Sequence, residues 1–339
     1  MHLPNRKFLA MIGATAAAVG STALLAAPAQ AATVGSARVD SLGAVYFAAG
    51  SSKANGLTIT ASGLTVTLDD LVGIKAGAGC AAVAGDATKV TCTTTQLSKI
   101  NVTLGDKNDW VKNKTSVPLA ADGGAGNDTL TGGSSNDRLV GGTGNDKIYG
   151  GAGGDVLSGN AGNDKVFGQD GEDRLYGAAG ADLLNGAAGL DKIYAGAGND
   201  KVYAGAGVGD PTDPNRLGDE VFGNSGNDTI YGESGDDLIE AGSGNDIVDA
   251  GAGDDGVLGQ SGNDTIKGGS GDDLLAGENI NKDLKAIGNA KAKDKLTGGS
   301  GVDICLVLKG GKASCEYKSI GAVIGSLSTT PPAILGRLS

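Results

Sequence analysis

Small, polar and aliphatic positions recur along residues 123–306 with a period of nine. The first copies read GGAGNDTLT, GGSSNDRLV, GGTGNDKIY, GGAGGDVLS, GNAGNDKVF and GQDGEDRLY. The eighth place is aliphatic, as at Leu130, Leu139, Ile148, Leu157, Val166 and Leu175, and the last copy puts Cys305 there. In an extended chain successive side chains alternate between faces, so the seventh and ninth places point one way and the eighth the other. The end of each copy therefore reads as a short strand with its eighth residue inward. The Gly-rich stretch before it calls for a positive φ at the fourth place, as at Gly126, Gly144, Gly162 and Gly226, and marks a tight turn. One turn and one strand per nine residues give an 18-residue coil with two of each. Stacked coils make a right-handed parallel β-roll in which copies two apart lie above one another at the strand spacing of about 4.8 Å.

Through two interruptions there are eighteen copies, and each carries Asp at the sixth place: Asp128, Asp137, Asp146, Asp155, Asp164, Asp173, Asp182, Asp191, Asp200, Asp219, Asp228, Asp237, Asp246, Asp255, Asp264, Asp273, Asp294 and Asp303. The copy starting at Ala204 holds an insertion around Asp210-Pro211-Thr212-Asp213-Pro214. The copy starting at Gly277 holds a Lys-rich one with Lys282, Lys285, Lys291, Lys293 and Lys295. Such insertions bulge to one side of a solenoid without breaking the stack.

Residues 32–122 are richer in Thr and Val. Runs such as Leu57-Thr58-Ile59-Thr60, Leu64-Thr65-Val66-Thr67-Leu68 and Ile100-Asn101-Val102-Thr103-Leu104 alternate like strands. This segment is expected to be a β-rich cap that begins the solenoid and covers its open end, with Leu104-Gly105-Asp106-Lys107-Asn108-Asp109-Trp110 as a degenerate repeat. Residues 307–339 read as a C-terminal cap and flexible tail.

The opening 31 residues read as a secretory signal: Arg6 and Lys7, an apolar stretch from Phe8 to Ala27, and Ala29-Gln30-Ala31 as the cleavage motif. The competing reading is a membrane anchor, but Gly13, Thr15, Gly20, Ser21 and Thr22 interrupt the stretch and no second hydrophobic segment follows. Cleavage would place the chain outside the cell with no transmembrane segment. It would leave 25 basic against 39 acidic residues, a net charge of −14, and would remove His2, the single histidine. Without histidine there is no Ser-His-Asp triad, Cys-His pair or His zinc site. The acidic balance also argues against nucleic acid as a partner. Cys80, Cys92, Cys305 and Cys315 suggest disulfides in a secreted chain. Their spacing favours Cys80 with Cys92 and Cys305 with Cys315 among three connectivities.

Stacking brings the aspartates of each column of turns together. At about 5 Å and an effective dielectric of 20, two carboxylates repel by about 3 kcal/mol, so a counter-ion is required. Ca²⁺ suits it, taking six to eight oxygen ligands at about 2.3 to 2.6 Å in flexible geometry, whereas Mg²⁺ holds its waters and zinc or copper would want softer ligands. A solvated charge face would not repeat at one phase eighteen times after a glycine turn.

The pattern G-G-x-G-x-D-x-U-x resembles the calcium-binding nonapeptide of RTX (haemolysin-type) proteins over residues 123–306. The resemblance implies a β-roll with Ca²⁺ between turns. The sixth-place Asp side chains would bind it together with carbonyls of the first, third and fifth places: Gly123, Ala125 and Asn127; Gly141, Thr143 and Asn145; Gly159, Ala161 and Asn163. Signal, Cys-stapled β segment, repeats and closing cysteine pair together resemble the secreted calcium-binding proteins of actinobacteria. Departures are Ser135 at a turn glycine, Ala195, Ala204, Ala241 and Ala250 at first places, and Ala181 and Leu190 at fifth places. Weaker calcium occupancy is expected around Asp137 and from Asp182 to Asp191. RTX toxins and proteases leave the cell without a cleaved N-terminal signal, which argues against toxin or protease function here.

With no passenger enzyme domain, the reading is a secreted, non-catalytic calcium-binding protein that folds on binding several Ca²⁺ ions. It would play a structural or interaction role at or near the cell surface. The alternatives are a polysaccharide lyase, epimerase or glycosidase on a β-helical surface, and an adhesin, although no LPxTG signal is present. Seventh-place cations accompany ninth-place aromatics: Lys147 with Tyr149, Lys165 with Phe167, Arg174 with Tyr176, Lys192 with Tyr194 and Lys201 with Tyr203. They read either as a platform for cell-wall or extracellular polysaccharide or as strand-favouring surface residues with cation–π contacts. Trp110 is expected to pack in the cap.

Overall fold

The computed structural model describes residues 34–50, 53–207, 218–280, 286–287, 293–306 and 312–315. The expected signal segment, the core of each insertion and the tail beyond Cys315 lie outside them.

Within the repeats most strands cover six residues, from the seventh place of one copy to the third place of the next, as in Arg138–Thr143, Lys147–Ala152 and Val156–Ala161. This is twice the length read from the alternation alone. The first-place side faces inward along with the eighth, and both are buried. Consecutive strands go to opposite sheets, one of 14 strands and one of 15, and every pairing among the repeats is parallel. Arg138 pairs with Val156 and Lys147 with Lys165, so an uninterrupted coil is 18 residues long and stacks in register. No helix occurs among the described residues. The fold is an all-β parallel roll.

The eighth-place residues of both sheets meet in one hydrophobic cluster, from Leu130, Leu139 and Ile148 through to Leu296 and Cys305. Ala195, Ala204, Ala241 and Ala250 add their first-place methyls to it and are fully buried. Loss of the first glycine there thus enlarges a core only one aliphatic side chain deep per copy.

Both interruptions leave the stack without shifting its register. Lys192 pairs with Glu220 and Thr265 with Lys295, so one coil stretches to 28 residues and another to 30 while ladder pairing continues. The Asn279–Ile280 and Ala286–Ile287 strands of the second insertion pair antiparallel.

The N-terminal segment joins the roll directly. The strands Val45–Ala48 and Gly56–Ser62 pair in parallel with Ile100–Asp106 and Trp110–Asn113, which in turn pair with the first repeat strands. Outside them, the hairpin of Gly56–Ser62 with Thr65–Asp69 and the strands Cys80–Val83 and Asp86–Thr93 run antiparallel and cover the end of one sheet. Covering an edge this way blocks further strand addition. Cys80 and Cys92 face each other across that antiparallel pair and are bonded. At the other end Cys305, on a strand of one sheet, is bonded to Cys315, just past a strand of the other.

Candidate metal centre

The fourth-place glycines lie at φ +133°, +123°, +134° and +134° at Gly126, Gly144, Gly162 and Gly226, as the turn chemistry requires. Space is a second reason for glycine: a Cβ on Gly162 would sit 1.8 Å from the Gly144 carbonyl oxygen of the coil before. The second place is also left-handed, a feature the sequence pattern did not reveal. It is occupied by non-glycine residues at Asn160, Gln169, Ala178, Ala187, Asn224, Glu233 and Gln260, with φ between 69° and 82°.

Each turn carries its sixth-place Asp inward, so that the eighteen aspartates are at most 3% exposed. They form two columns, one leading into each sheet. Within a column the Asp N–H donates to Oδ1 of the Asp on the next coil: Asp128 to Asp146 at 2.7 Å, Asp146 to Asp164 at 2.7 Å, Asp155 to Asp173 at 2.7 Å. The Asp carbonyl accepts the seventh-place N–H of that same coil, as in Lys147 to Asp128 at 2.8 Å. Three atoms of each aspartate therefore serve the stacking, and Oδ2 is left.

From Asp128 to Asp273 every sixth-place Oδ2 except that of Asp137 is buried without a hydrogen-bond donor. Burial pushes these carboxyls up from the usual carboxylate range, to about 6 at Asp164, about 7 at Asp182, about 8 at Asp191 and about 9 at Asp237. A buried acceptor with no donor is costly, and a buried charge with no partner more so. Such an oxygen calls for a proton or a cation.

The first-place residues complete the surroundings. A Cβ on Gly123 would lie 2.4 Å from Asp128 Oδ2 and 2.5 Å from the Gly141 carbonyl, so carboxylate and carbonyl converge over that Cα. The same holds at Gly150 for Asp155 Oδ2 and the Gly168 carbonyl. Where Ala replaces the first glycine its carbonyl keeps this position: a Cβ on Gly177 would lie 2.4 Å from the Ala195 oxygen. Orphaned carboxylate oxygens beside backbone carbonyls, with no nitrogen or sulfur ligand in the two columns among the described residues, fit a hard divalent cation such as Ca²⁺.

A family model for the RTX calcium-binding nonapeptide repeat (4 copies) matches residues 122–157, 149–184, 176–209, 222–257 and 257–279. Residues 122–279 are RTX calcium-binding nonapeptide repeats. No curated protein matches the chain. RTX nonapeptide repeats bind calcium, and in this chain the sixth-place carboxylates with the first-place carbonyls beside them would be the groups to hold it. A bound ion would supply the positive charge that the two columns lack.

The other residues singled out in the RTX repeats take different places. The third-place carbonyls of Thr143 and Ala161 accept the N–H of Gly126 and Gly144 at 2.8 Å each. Ala125 pairs with Asp106 of the coil before. The fifth-place asparagines use their side chains: Asn127 Oδ1 accepts the Asn145 N–H and Asn145 Oδ1 the Asn163 N–H, both at 2.7 Å. This exposed ladder runs opposite to the Asp ladder. Asn163 still accepts the N–H of Ala181, whose own side chain offers no acceptor to pass it on.

Asp137 stands apart because its Oδ2 accepts the Gly133 N–H at 2.6 Å, in the copy where Ser135 replaces the turn glycine. Asp182 and Asp191, in contrast, have the same buried, donor-free Oδ2 as their neighbours. What is missing around them is the fifth-place ladder, not the carboxylate arrangement.

Proposed function

We propose that the chain is a secreted calcium-binding protein whose roll takes up several Ca²⁺ ions along its two Asp columns and folds as it does so. Its role would be structural or interactive, without catalysis, at or near the cell surface. The observation that carries this reading is the run of buried, donor-free Oδ2 atoms, repeated at one place in successive copies. With that many carboxylates to neutralise, cation binding and folding are one equilibrium, because anything bound only by the folded state stabilises it. Two disulfides suit an oxidising surrounding, where calcium is also plentiful. The segments would divide the labour as signal (1–31), cap (32–122), calcium-binding roll (123–306), and C-terminal cap and tail (307–339).

The polysaccharide platform finds less support. Tyr176, Tyr194 and Phe222 stack at 5.1 and 4.9 Å, nearly parallel, and Tyr203 stacks on Tyr231 at 5.0 Å. Lys192 and Lys201 lie over these rings. Ring faces are thus spent on one another along the roll and mostly ring edges meet solvent, which favours the surface-packing reading over sugar binding.

Circular dichroism of the chelated chain during a calcium titration, with calorimetric stoichiometry alongside, tests the proposal. Strand signal should grow with calcium and saturate at several ions per chain. Full strand signal in chelator, with no heat on adding calcium, would overturn it.

A further inference from the structure

With both Asp columns neutralised, the acidic chain would change sign. Eighteen of its 39 acidic residues stand in the columns, so the 25 basic residues left after signal cleavage would face 21 acidic ones, and a net charge of −14 would become +4. The remaining charges are not mixed along the roll. Columns aside, residues 123–207 hold six basic residues, Arg138, Lys147, Lys165, Arg174, Lys192 and Lys201, against Asp170 and Glu172. Residues 218–276 hold the reverse, Lys267 against seven acidic residues that include Glu220, Glu233, Glu240 and Asp249. A basic half of the roll is joined to an acidic half.

The sign changes across the outer face of the 14-stranded sheet. There the strands Arg138–Thr143, Val156–Ala161, Arg174–Ala179, Lys192–Ala197, Glu220–Ser225 and Leu238–Ser243 are neighbours in that order. Seventh and ninth places point outward, which puts Arg138, Arg174 and Lys192 on one side of the change and Glu220 and Glu240 on the other. Lys192 and Glu220 meet across it in an ion pair. One strand further out on each side, Arg174 has no carboxylate and Glu240 no cation within ion-pair distance among the described residues. Glu240 accepts a hydrogen bond from Gln260 Nε2 at 2.9 Å, and burial pushes its carboxyl up. Tyr176, Tyr194 and Phe222 stack at the ninth places of the same strands. Beyond Glu240 the face is closed: Leu258, Leu274 and Ala276 stand at outward places yet are buried, where Asn279–Ile280 lies beside Gly256–Ser261.

We infer that a second copy of the chain docks on this face, antiparallel to the first, as a two-fold dimer of calcium-loaded rolls. A half-turn about an axis along the strands, midway between Lys192–Ala197 and Glu220–Ser225, lays the basic strands of each copy on the acidic strands of the other. Lys192 then meets Glu220 of the second copy, Arg174 comes within reach of its Glu240, and Tyr194 meets its Phe222. The same patch serves both copies, as a two-fold contact requires. Aromatic residues and Arg are the types enriched at the buried centre of such contacts. Sheets packed face to face cross at about 30°, so the copies touch over the strands nearest the axis and diverge toward the covered stretch at Leu258. A face this short makes a weak dimer, not an obligate one. The inference rests on calcium neutralising the columns, since their uncompensated carboxylates would make both halves of each copy repel the other copy.

Sedimentation velocity of the full chain in calcium should show a dimer that grows with protein concentration at low salt and is lost at about 1 M salt, where the Debye length falls to about 3 Å. Arg174→Glu and Glu240→Arg each set like charges against each other across the axis. Each should weaken the dimer about tenfold or more and keep the parent's calcium stoichiometry. Mixing the two variants is the decisive arm. One then carries only carboxylates at the two positions and the other only cations, so the equimolar mixture should dimerise as tightly as the parent, and the double variant should do so alone. A calcium-loaded parent that stays monomeric at low salt would overturn the docking. So would a dimer that both reversals leave intact, or a mixture that fails to associate. A parent chain that takes up no calcium at all would instead sink the reading of the repeats.

Discussion

The N–H of Asp219 donates to Oδ1 of Asp237 at 2.7 Å, while Asp237 Oδ2, on the same carboxyl, meets no donor. One oxygen holds the coils together and the other calls for charge compensation. Stacking and cation binding thus share a side chain, and removing that side chain disturbs both.

Asp164→Ala removes both oxygens at one level. The Asp146 N–H loses its acceptor, at about 1 to 3 kcal/mol for a buried group left unpaired, and the calcium count should fall. Because a solenoid is stabilised coil against neighbouring coil, hydrogen exchange should quicken first around residues 146 and 182 and least at the two ends. Asp164→Asn keeps an Oδ1 and should lower the calcium count with a smaller loss of protection.

Calcium-free and calcium-loaded chains should respond to pH in opposite directions. The folded carboxyls of Asp155, Asp228 and Asp273 sit at about 7 and that of Asp255 at about 8, raised by burial above an ordinary value of 3.8. Above the ordinary value the calcium-free fold holds protons that the unfolded chain has released. Its stability is therefore fully present below about pH 4 and is lost progressively as pH rises from there through the folded values of about 7 to 8. In chelator, strand dichroism should be greater near about pH 5 than near about pH 8. Calcium competes with those protons, so its apparent affinity should rise over the same interval. A calcium affinity that does not change with pH would contradict the buried carboxyls as its ligands.

Gly162→Ala tests the turn. A methyl there meets the Gly144 carbonyl oxygen at 1.8 Å and sits at φ +134°, so the coil must open. The expected loss exceeds the 1 to 3 kcal/mol or so of backbone strain alone. Ala178→Gly, at a second place with φ +80°, should cost little or stabilise, since it relieves a left-handed alanine. Thermal melts of both calcium-loaded variants give the comparison.

Cys315→Ser should fray the C-terminal end. The Cys305–Cys315 bond ties the last strands of the two sheets together, and bonds of this kind contribute about 2 to 4 kcal/mol. Exchange protection should drop at Ile304–Leu306 and remain near Leu130, at the far end of the roll.

Much was legible in advance because each of its causes recurs every nine residues. The inward column ending at Cys305, the turn glycines such as Gly144, the register between copies two apart and the placement of Asp128 to Asp303 all follow from period and residue type. A one-residue slip would turn the eighth place out to water. Partners that are local or periodic can be read from a single chain.

Only the folded chain decided which atoms of those residues do what. The division of each Asp between Oδ1 for stacking and Oδ2 for charge, the opposed ladder of Asn127 and Asn145, and the left-handed second place at Gln169 and Ala178 depend on distances between coils, on which the repeat pattern is silent. Asp70 is the extreme case. Nothing in its neighbourhood along the chain repeats, and its buried carboxyl accepts the Gly56 N–H only because an antiparallel hairpin folds back and brings together residues distant in sequence.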